Sequence, residues 1–135
     1  MTLVGAALLI FCRTHDSACV ETVTRNVDMI ADLAGAYGVD PVLGVAVCAQ
    51  ESRLGTVRAQ SLCGTYRARD DETSATVAMD ALSAHRRVCR AWDAGLRSYH
   101  YNGRCERDDP DEYVRSVRSI ERRLRCAMAS GRRCW

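Results

Sequence analysis

The sequence contains no lysine, only two prolines and only 6 % aromatic residues among its 135 positions. It also lacks low-complexity stretches and internal repeats, and its apolar run at residues 3–11 (LVGAALLIF) is too short to span a bilayer as a helix. Apolar residues make up 47 % and charged residues 27 %, as in ordinary soluble proteins. These features exclude a disordered tail, a collagen-like fibre and a polytopic membrane protein, and the length predicts one domain.

An excess of basic charge is also missing. The 19 arginines are matched by 17 acidic residues, which leaves a formal charge of +2. Proteins dedicated to nucleic-acid binding carry a much larger basic excess. We therefore expect no nucleic-acid partner.

Cysteine is abundant, with eight residues at positions 12, 19, 48, 63, 89, 105, 126 and 134. No two of them have the close spacing with which a pair of cysteines binds zinc. An even number of dispersed cysteines favours up to four disulfides formed outside the reducing cytosol, with the pairing left open. Buried free thiols are the alternative. His15, His85 and His100 show no metal-ligand spacing, so we expect no metal and no cofactor.

Residues 1–18 are interpreted as a signal peptide or an apolar N-terminal segment, and residues 19–135 as the folded domain. Ala18 is a small residue that could precede a cleavage site, but Met1 and Thr2 provide no basic start. A buried first helix is the alternative. Cleavage that removed Cys12 would leave one cysteine unpaired. A periplasmic or secreted location is expected.

The rest of the chain predicts a mainly α fold of five or six helices. Apolar residues at steps of three and four over positions 20–37 predict a helix that ends before Gly38. Asp40 and Pro41 begin a second helix, which stops near Gly55. No segment alternates with period two for long enough to suggest a strand.

Two further long helices follow. Thr73 or Ser74 is predicted to cap the third, with Val88 and Trp92 on its apolar face and Gly95 as its end. A short helix over 96–101 precedes the turn at 102–103. The pair at 109–110 (Asp-Pro) predicts the start of the last helix, which closes at Gly131.

One carboxylate stands out, because Glu51 falls in the last turn of an otherwise uncharged helix. Residues three and four positions before it are Cys48 and Val47, so it shares a face with apolar groups. Burial and the negative end of the helix dipole both raise a carboxyl pKa. A carboxyl that stays protonated near neutral pH can act as a general acid. The alternative is a solvated helix-end residue, or one paired with Arg53.

The chain resembles the lytic transglycosylases of the soluble type, within the lysozyme-like superfamily. The resemblance spans residues 38 to about 120 and rests on four segments that occur in the family's order. The first is Gly38-Val39-Asp40-Pro41, followed by an apolar helix that ends in Glu51-Ser52-Arg53-Leu54. The others are Ala59 with Ser61 and Gly64, the stretch from Leu96 to Gly103, and the stretch from Tyr113-Val114 to Val117. After the glycine that corresponds to Gly64, the family has a Gly-Leu-Met-Gln segment. This chain has Thr65-Tyr66-Arg67-Ala68-Arg69 there instead. The family has adjacent Tyr and Asn residues in a Leu-x-x-Tyr-Asn-x-Gly motif. In this chain Tyr99 keeps the family's spacing from Leu96, but the asparagine is Asn102, which follows Tyr101.

The resemblance implies a single globular lysozyme-like domain, stapled here by disulfides, that cleaves peptidoglycan glycan strands as a monomer. In this family one carboxyl protonates the bond between N-acetylmuramic acid and N-acetylglucosamine, and a 1,6-anhydro sugar forms. Glu51 is the implied catalytic residue, and Ser61, Tyr99, Tyr101 and Asn102 are the implied substrate-binding residues. Core packing for the tyrosines and loop shaping for Ser61 are the alternatives.

Three other functions stay open. A lysozyme-type hydrolase on the same fold would release a reducing-end sugar and use a second carboxylate. Asp70, Asp71 and Glu72 are the nearby acidic residues, although a helix N-terminus is a more natural place for them. A non-catalytic wall-binding module is favoured by the missing Gly-Leu-Met-Gln segment. A disulfide-rich helical secreted protein of another kind is the last alternative.

Overall fold

The computed structural model describes residues 1–57, 61–64, 70–101, 103–106 and 111–135. Within these ranges the chain forms six α-helices and no strand, in one compact domain, which confirms the mainly α prediction. Their bounds are α1 (Leu3–Phe11), α2 (Ser17–Ala36), α3 (Pro41–Ser52), α4 (Asp71–Cys89), α5 (Trp92–His100) and α6 (Glu112–Ser130).

Helix α3 is the central element of the core. Its start is confirmed, because the Asp40 carboxylate accepts the backbone N–H groups of Val42 and Leu43 at 2.8 and 3.2 Å. Every residue over 42–49 is buried. Gly44 lets two neighbouring helices approach closely, since a β-carbon there would lie 3.0 Å from Ala34 and from Met79. The helix that carries Glu51 is therefore packed against α2 and α6, and Met79 of α4 lies beside Gly44.

The chain leaves α3 through an unusual run of left-handed residues. Arg53, Leu54 and Gly55 have φ values of 50°, 60° and 84°. Two of the three are not glycine, and such residues adopt this conformation only at a cost of about 1–2 kcal/mol each. Leu54 is fully buried, and its carbonyl accepts a hydrogen bond from the Asn26 side chain at 2.9 Å. These contacts fix the end of the helix three residues before Gly55.

The predicted third helix was wrong at both ends. Asp70 caps it instead of Thr73 or Ser74, because its carboxylate accepts the Thr73 N–H at 2.7 Å. The helix ends at Cys89, and Arg90 adopts a left-handed conformation with φ of 63°. Val88, expected on the apolar face, is 75 % exposed.

Trp92 begins α5 instead of continuing α4, and Gly95 lies inside α5 instead of ending a helix. The reason for glycine there is packing between the two helices. A β-carbon at Gly95 would lie 2.8 Å from the Cα of Arg86. Gly131, with φ of 67°, closes α6 as predicted, whereas the proposed start signal at 109–110 lies outside the described residues.

Four disulfides are present, which confirms the prediction of a disulfide-stapled domain. They join cysteines that are consecutive in the sequence: Cys12–Cys19, Cys48–Cys63, Cys89–Cys105 and Cys126–Cys134. Each one closes a local loop. The pair Cys48–Cys63 is the buried one, and it joins α3 to the loop that follows it.

Helix α1 packs into the same core, with Ala6, Ala7 and Ile10 buried. The assignment of residues 1–18 as a signal peptide stays a prediction. Its consequence is now specific, because removing these residues would leave Cys19 without its partner Cys12. In the part of the chain that the structure describes, no helix combines the length and apolar character needed to cross a bilayer.

Candidate active site around Glu51

Glu51 lies in the last turn of α3, one residue before the helix ends. Its side chain is half-buried, at the end of a helix whose preceding turns are almost wholly apolar. Burial raises the pKa of the Glu51 carboxyl above its ordinary value, while the Tyr113 hydroxyl and the charge of His100 oppose that rise. A half-exposed carboxyl with a raised pKa has the properties of a general acid.

Gly64 forms the surface against which the Glu51 side chain rests. Its φ of 77° is a left-handed conformation, and its N–H donates to the Ser61 carbonyl at 3.2 Å in a tight turn. A β-carbon at this position would lie 2.5 Å from Cδ and 2.8 Å from Cγ of Glu51. Only glycine satisfies both the backbone angle and this approach. The Gly64 backbone thus limits where the carboxyl can point.

The turn at 61–64 is fixed from three helices. The Ser52 hydroxyl donates to the Leu62 carbonyl at 2.6 Å, and the Cys48–Cys63 disulfide adds a covalent link from α3. The Cys63 N–H donates to the Ser74 hydroxyl of α4 at 3.0 Å. The Tyr99 hydroxyl of α5 donates to the Cys63 carbonyl at 3.1 Å. Most of the polar groups of this short turn are thereby satisfied.

Tyr113, near the start of α6, completes the surroundings of the carboxyl. Its hydroxyl is buried and makes no hydrogen bond of standard geometry to a described residue, yet its proton is close enough to favour ionised Glu51. Burial, together with the charge of Glu51, raises the pKa of Tyr113, so the phenol stays protonated. Tyr113 is therefore available as a donor to the carboxylate form of Glu51.

His100 is held beside this pair by ring contacts. Its imidazole stacks on the Tyr113 ring, with centroids 4.0 Å apart and planes 5° from parallel. It also meets the Tyr101 ring edge-on at 4.5 Å. His100 is exposed, and its charge favours the carboxylate form of Glu51.

The end of α5 and the start of α6 are tied together by Arg97. Its guanidinium forms a two-point ion pair with Asp111, just before α6, and also donates to the Cys105 carbonyl at 2.6 Å. Paired hydrogen bonds of this kind fix orientation as well as distance. This link sets the position of Tyr113 and His100 relative to each other.

The structure brings some of the predicted site residues together and separates others. Tyr99 supports the turn beneath Glu51, and Tyr101 packs on His100. Ser61 begins the turn and is half-buried. Asn102 lies outside the described residues, as do Ala59 and the segment 65–69 that replaces the family's Gly-Leu-Met-Gln.

The immediate neighbours of Glu51 do not orient its carboxyl. Gln50 is exposed, and the Ser52 hydroxyl is used by the Leu62 carbonyl. Arg53 forms no ion pair with Glu51; its guanidinium lies 5.9 Å from the centre of the Phe11 ring. Salt bridges among the described residues do not include Glu51 at all.

The acidic residues at the start of α4 have the structural role that their position suggested. Asp70 is the N-cap, and Asp71 and Glu72 are exposed in the first turn. None of them is among the groups that shift the Glu51 pKa. Across the ranges that the structure describes, no three potential ligands converge to hold a metal ion.

Sequence reasoning missed the parts of the site that depend on tertiary structure. Tyr113 was assigned to the apolar face of the last helix, and His100 was considered only as a metal ligand and was not assigned as one. Both lie more than 45 positions from Glu51. No local pattern links either residue to the carboxyl, so only the order of the family motifs pointed toward this region.

Comparisons with protein-family models, with curated proteins and with solved structures find no match to this chain.

Proposed function

We propose that this protein is a peptidoglycan lytic transglycosylase in which Glu51 is both the general acid and the general base. The observation that carries the proposal is the setting of Glu51: a half-buried carboxyl with a raised pKa at the end of a buried helix, resting on Gly64 and facing Tyr113. The ordered motifs between residues 38 and 120 agree with it.

In the first step, protonated Glu51 donates its proton to the glycosidic oxygen between N-acetylmuramic acid and N-acetylglucosamine. The bond from that oxygen to C1 of the muramyl residue breaks, and positive charge develops on the sugar. Glu51 becomes a carboxylate. The Tyr113 hydroxyl and the charged form of His100 both favour this ionised state.

In the second step, the Glu51 carboxylate removes the proton from the muramyl 6-hydroxyl, and that oxygen attacks C1. A 1,6-anhydro ring forms, and Glu51 returns to its protonated state. No water is consumed, and no second carboxylate is required. Both protonation states of Glu51 must therefore be accessible during the reaction. Burial raises the pKa of Glu51, and Tyr113 and His100 oppose that rise.

Hydrolysis on the same fold is the second candidate, and it differs by its need for another carboxylate near the sugar. The described groups that influence Glu51 are a phenol and an imidazole, not an acid. This composition favours the intramolecular route. A non-catalytic wall-binding module is the third candidate, supported by the replacement of Gly-Leu-Met-Gln at 65–69.

The proposed substrate sets the proposed location. Peptidoglycan strands lie outside the cytosol, and four disulfides are typical of proteins folded in an oxidising compartment. We accordingly assign the protein to the periplasm or the secreted fraction, acting as a monomer on glycan strands without a cofactor.

The test is digestion of purified peptidoglycan by the oxidised protein, with the released muropeptides analysed by mass spectrometry. The proposal predicts products with an anhydromuramyl end, lighter than the hydrolysed ones by one water molecule. Products with a hydrated reducing end would show that the protein is a lysozyme-type hydrolase instead. Binding to the wall without any product would favour the non-catalytic module.

A further inference from the structure

The C-terminal part of α6 and the segment after it form one stapled unit. The Cys126–Cys134 disulfide folds the segment back onto the helix, and Arg123 donates to the Cys134 carbonyl at 3.3 Å. A surface cavity of about 240 Å³ lies between Arg122, Arg123 and Trp135. We call the surface formed by Arg122, Arg123, Arg132, Arg133 and Trp135 the cationic face.

The arginines of the cationic face differ in their ion pairing from three other arginines of the chain. Arg97, Arg118 and Arg125 all pair with carboxylates. By contrast, within the described residues no ion pair involves any of the four arginines of the cationic face, and the stretch 122–135 contains no acidic side chain. A chain whose formal charge is only +2 thus carries, in this one segment, four arginines that form no ion pair among the described residues.

The cationic face also contains an exposed indole side chain. Trp135 is 87 % exposed, and the Arg133 guanidinium is 4.3 Å from the centre of its ring system. Indole rings favour the boundary between water and lipid, where the ring is partly buried and its N–H stays hydrated. A cationic surface with an exposed indole suits such a boundary.

Arg133 also lines a second cavity, in which apolar and polar side chains are mixed. This cavity of about 490 Å³ is lined by the apolar residues Leu8, Leu9, Cys12 and Val20 and by the polar residues Arg13, Thr14, His15 and Arg133. Phosphate groups alone would need the arginines but not the aliphatic side chains. An acyl chain beneath an anionic headgroup uses both.

We propose that the cationic face binds the anionic surface of a lipid bilayer, with its arginines on lipid phosphates and Trp135 at the headgroup level. The charge is complementary, and the aliphatic part of the cavity lining beside Arg133 favours a lipid over a soluble polyanion. Binding of this kind leaves the protein on the membrane surface. The inference is independent of the proposed glycan chemistry, because Glu51 has no part in it.

The experiment is sedimentation of the oxidised 135-residue protein with vesicles. One set contains phosphatidylglycerol and phosphatidylcholine in equal parts, and the other contains phosphatidylcholine alone. We expect binding to the first set only, weakening as salt rises from about 0.05 to about 0.5 M, because salt screens exposed charges. The emission of Trp135 shifts to the blue on binding, and the Trp135→Phe variant identifies that signal against Trp92.

The decisive variant is Arg132→Gln/Arg133→Gln. We expect about 25-fold weaker partition onto anionic vesicles, because each basic residue close to such a surface contributes roughly fivefold. The matched control is Arg25→Gln/Arg87→Gln, which removes the same charge from exposed positions on α2 and α4. It is expected to bind almost as well as the wild type. Glu51→Gln is expected to bind unchanged.

Several results would overturn the proposal. Equal binding to both sets of vesicles, or equal losses in the two double variants, would mean that the cationic face is not the contact. Capture on long-chain polyphosphate without binding to anionic vesicles would assign the face to a soluble polyanion instead. An unshifted Trp135 emission on bound vesicles would contradict its place at the headgroup level.

Discussion

The backbone of Gly64 lies directly against the carboxyl group of Glu51. An alanine β-carbon at position 64 would come within 2.5 Å of the Glu51 Cδ, and the backbone angle of 77° is itself unfavourable for alanine. Gly64 belongs to a turn that three helices and a disulfide hold in place. The position of the proposed catalytic group therefore depends on one glycine outside its own helix.

Gly64→Ala is expected to abolish muropeptide release and to destabilise the protein by more than the 1–2 kcal/mol or so of a left-handed alanine. The extra loss comes from the overlap with Glu51. Gly38→Ala is the matched control, because Gly38 has a φ of 72° with open space around it. Chemical denaturation and wall digestion measure both quantities. Equal stability losses and equal activity in the two variants would contradict the role given to Gly64.

Tyr113→Phe is expected to raise the pKa of Glu51, because it removes a hydroxyl that favours the ionised form. The protonated form of Glu51 then persists to higher pH, so the alkaline limb of the pH profile of kcat/KM moves upward. Stability is expected to change by only about 1 kcal/mol or less, since the hydroxyl has no hydrogen bond of standard geometry to a described residue. Tyr37→Phe, in α2's C-terminal cap, serves as the control. A profile that stays in place or moves to lower pH would show that Tyr113 does not act on Glu51.

Glu51→Gln is expected to make the protein more stable than the wild type at pH 7 but not at pH 3. The pKa of Glu51 is higher in the folded protein than in the unfolded chain, so protonated Glu51 contributes to folding stability. This contribution is complete below the unfolded-state pKa of about 4.3. It is lost as the pH rises through the folded-state pKa. Glutamine does not ionise and keeps its contribution. Thermal unfolding at both pH values checks this. If Glu51→Gln were more stable than the wild type by the same amount at pH 7 and pH 3, the assignment of a raised Glu51 pKa would be refuted.

Removal of the Cys48–Cys63 disulfide by a double alanine substitution is expected to cost about 3 kcal/mol and to impair wall digestion. The pair is separated by 15 residues and anchors the turn beneath Glu51. Removal of Cys126–Cys134, with a separation of 8 residues, is expected to cost less and to leave digestion intact. Urea denaturation and product release give the two values. Full activity without Cys48–Cys63 would show that the disulfide does not position the site.

Local sequence signals predicted the elements that local chemistry determines. Asp40 and Pro41 start α3 because a carboxylate cap and a fixed proline angle act within one turn. Gly131 ends α6 for a similar reason. Glu51 could be singled out because its own helix contains no other charge.

The remaining features depend on residues that are distant in the sequence. Arg90 ends α4 without a glycine or proline to mark the place, so Trp92 was assigned to the wrong helix. The size limit at Gly95 arises from Arg86 on the neighbouring helix. The proximity of Tyr113 to Glu51 requires the packing of α6 against α3, which no spacing within either segment reveals.

The most direct test compares wild-type protein and Glu51→Gln on the same purified peptidoglycan, with Glu112→Gln as a control for loss of an exposed carboxylate. We predict anhydromuramyl products from the wild type and from Glu112→Gln, and none from Glu51→Gln, although all three proteins are folded by circular dichroism. Anhydromuramyl release that persists in folded Glu51→Gln would contradict the account, because the proposed acid and base would then be another group.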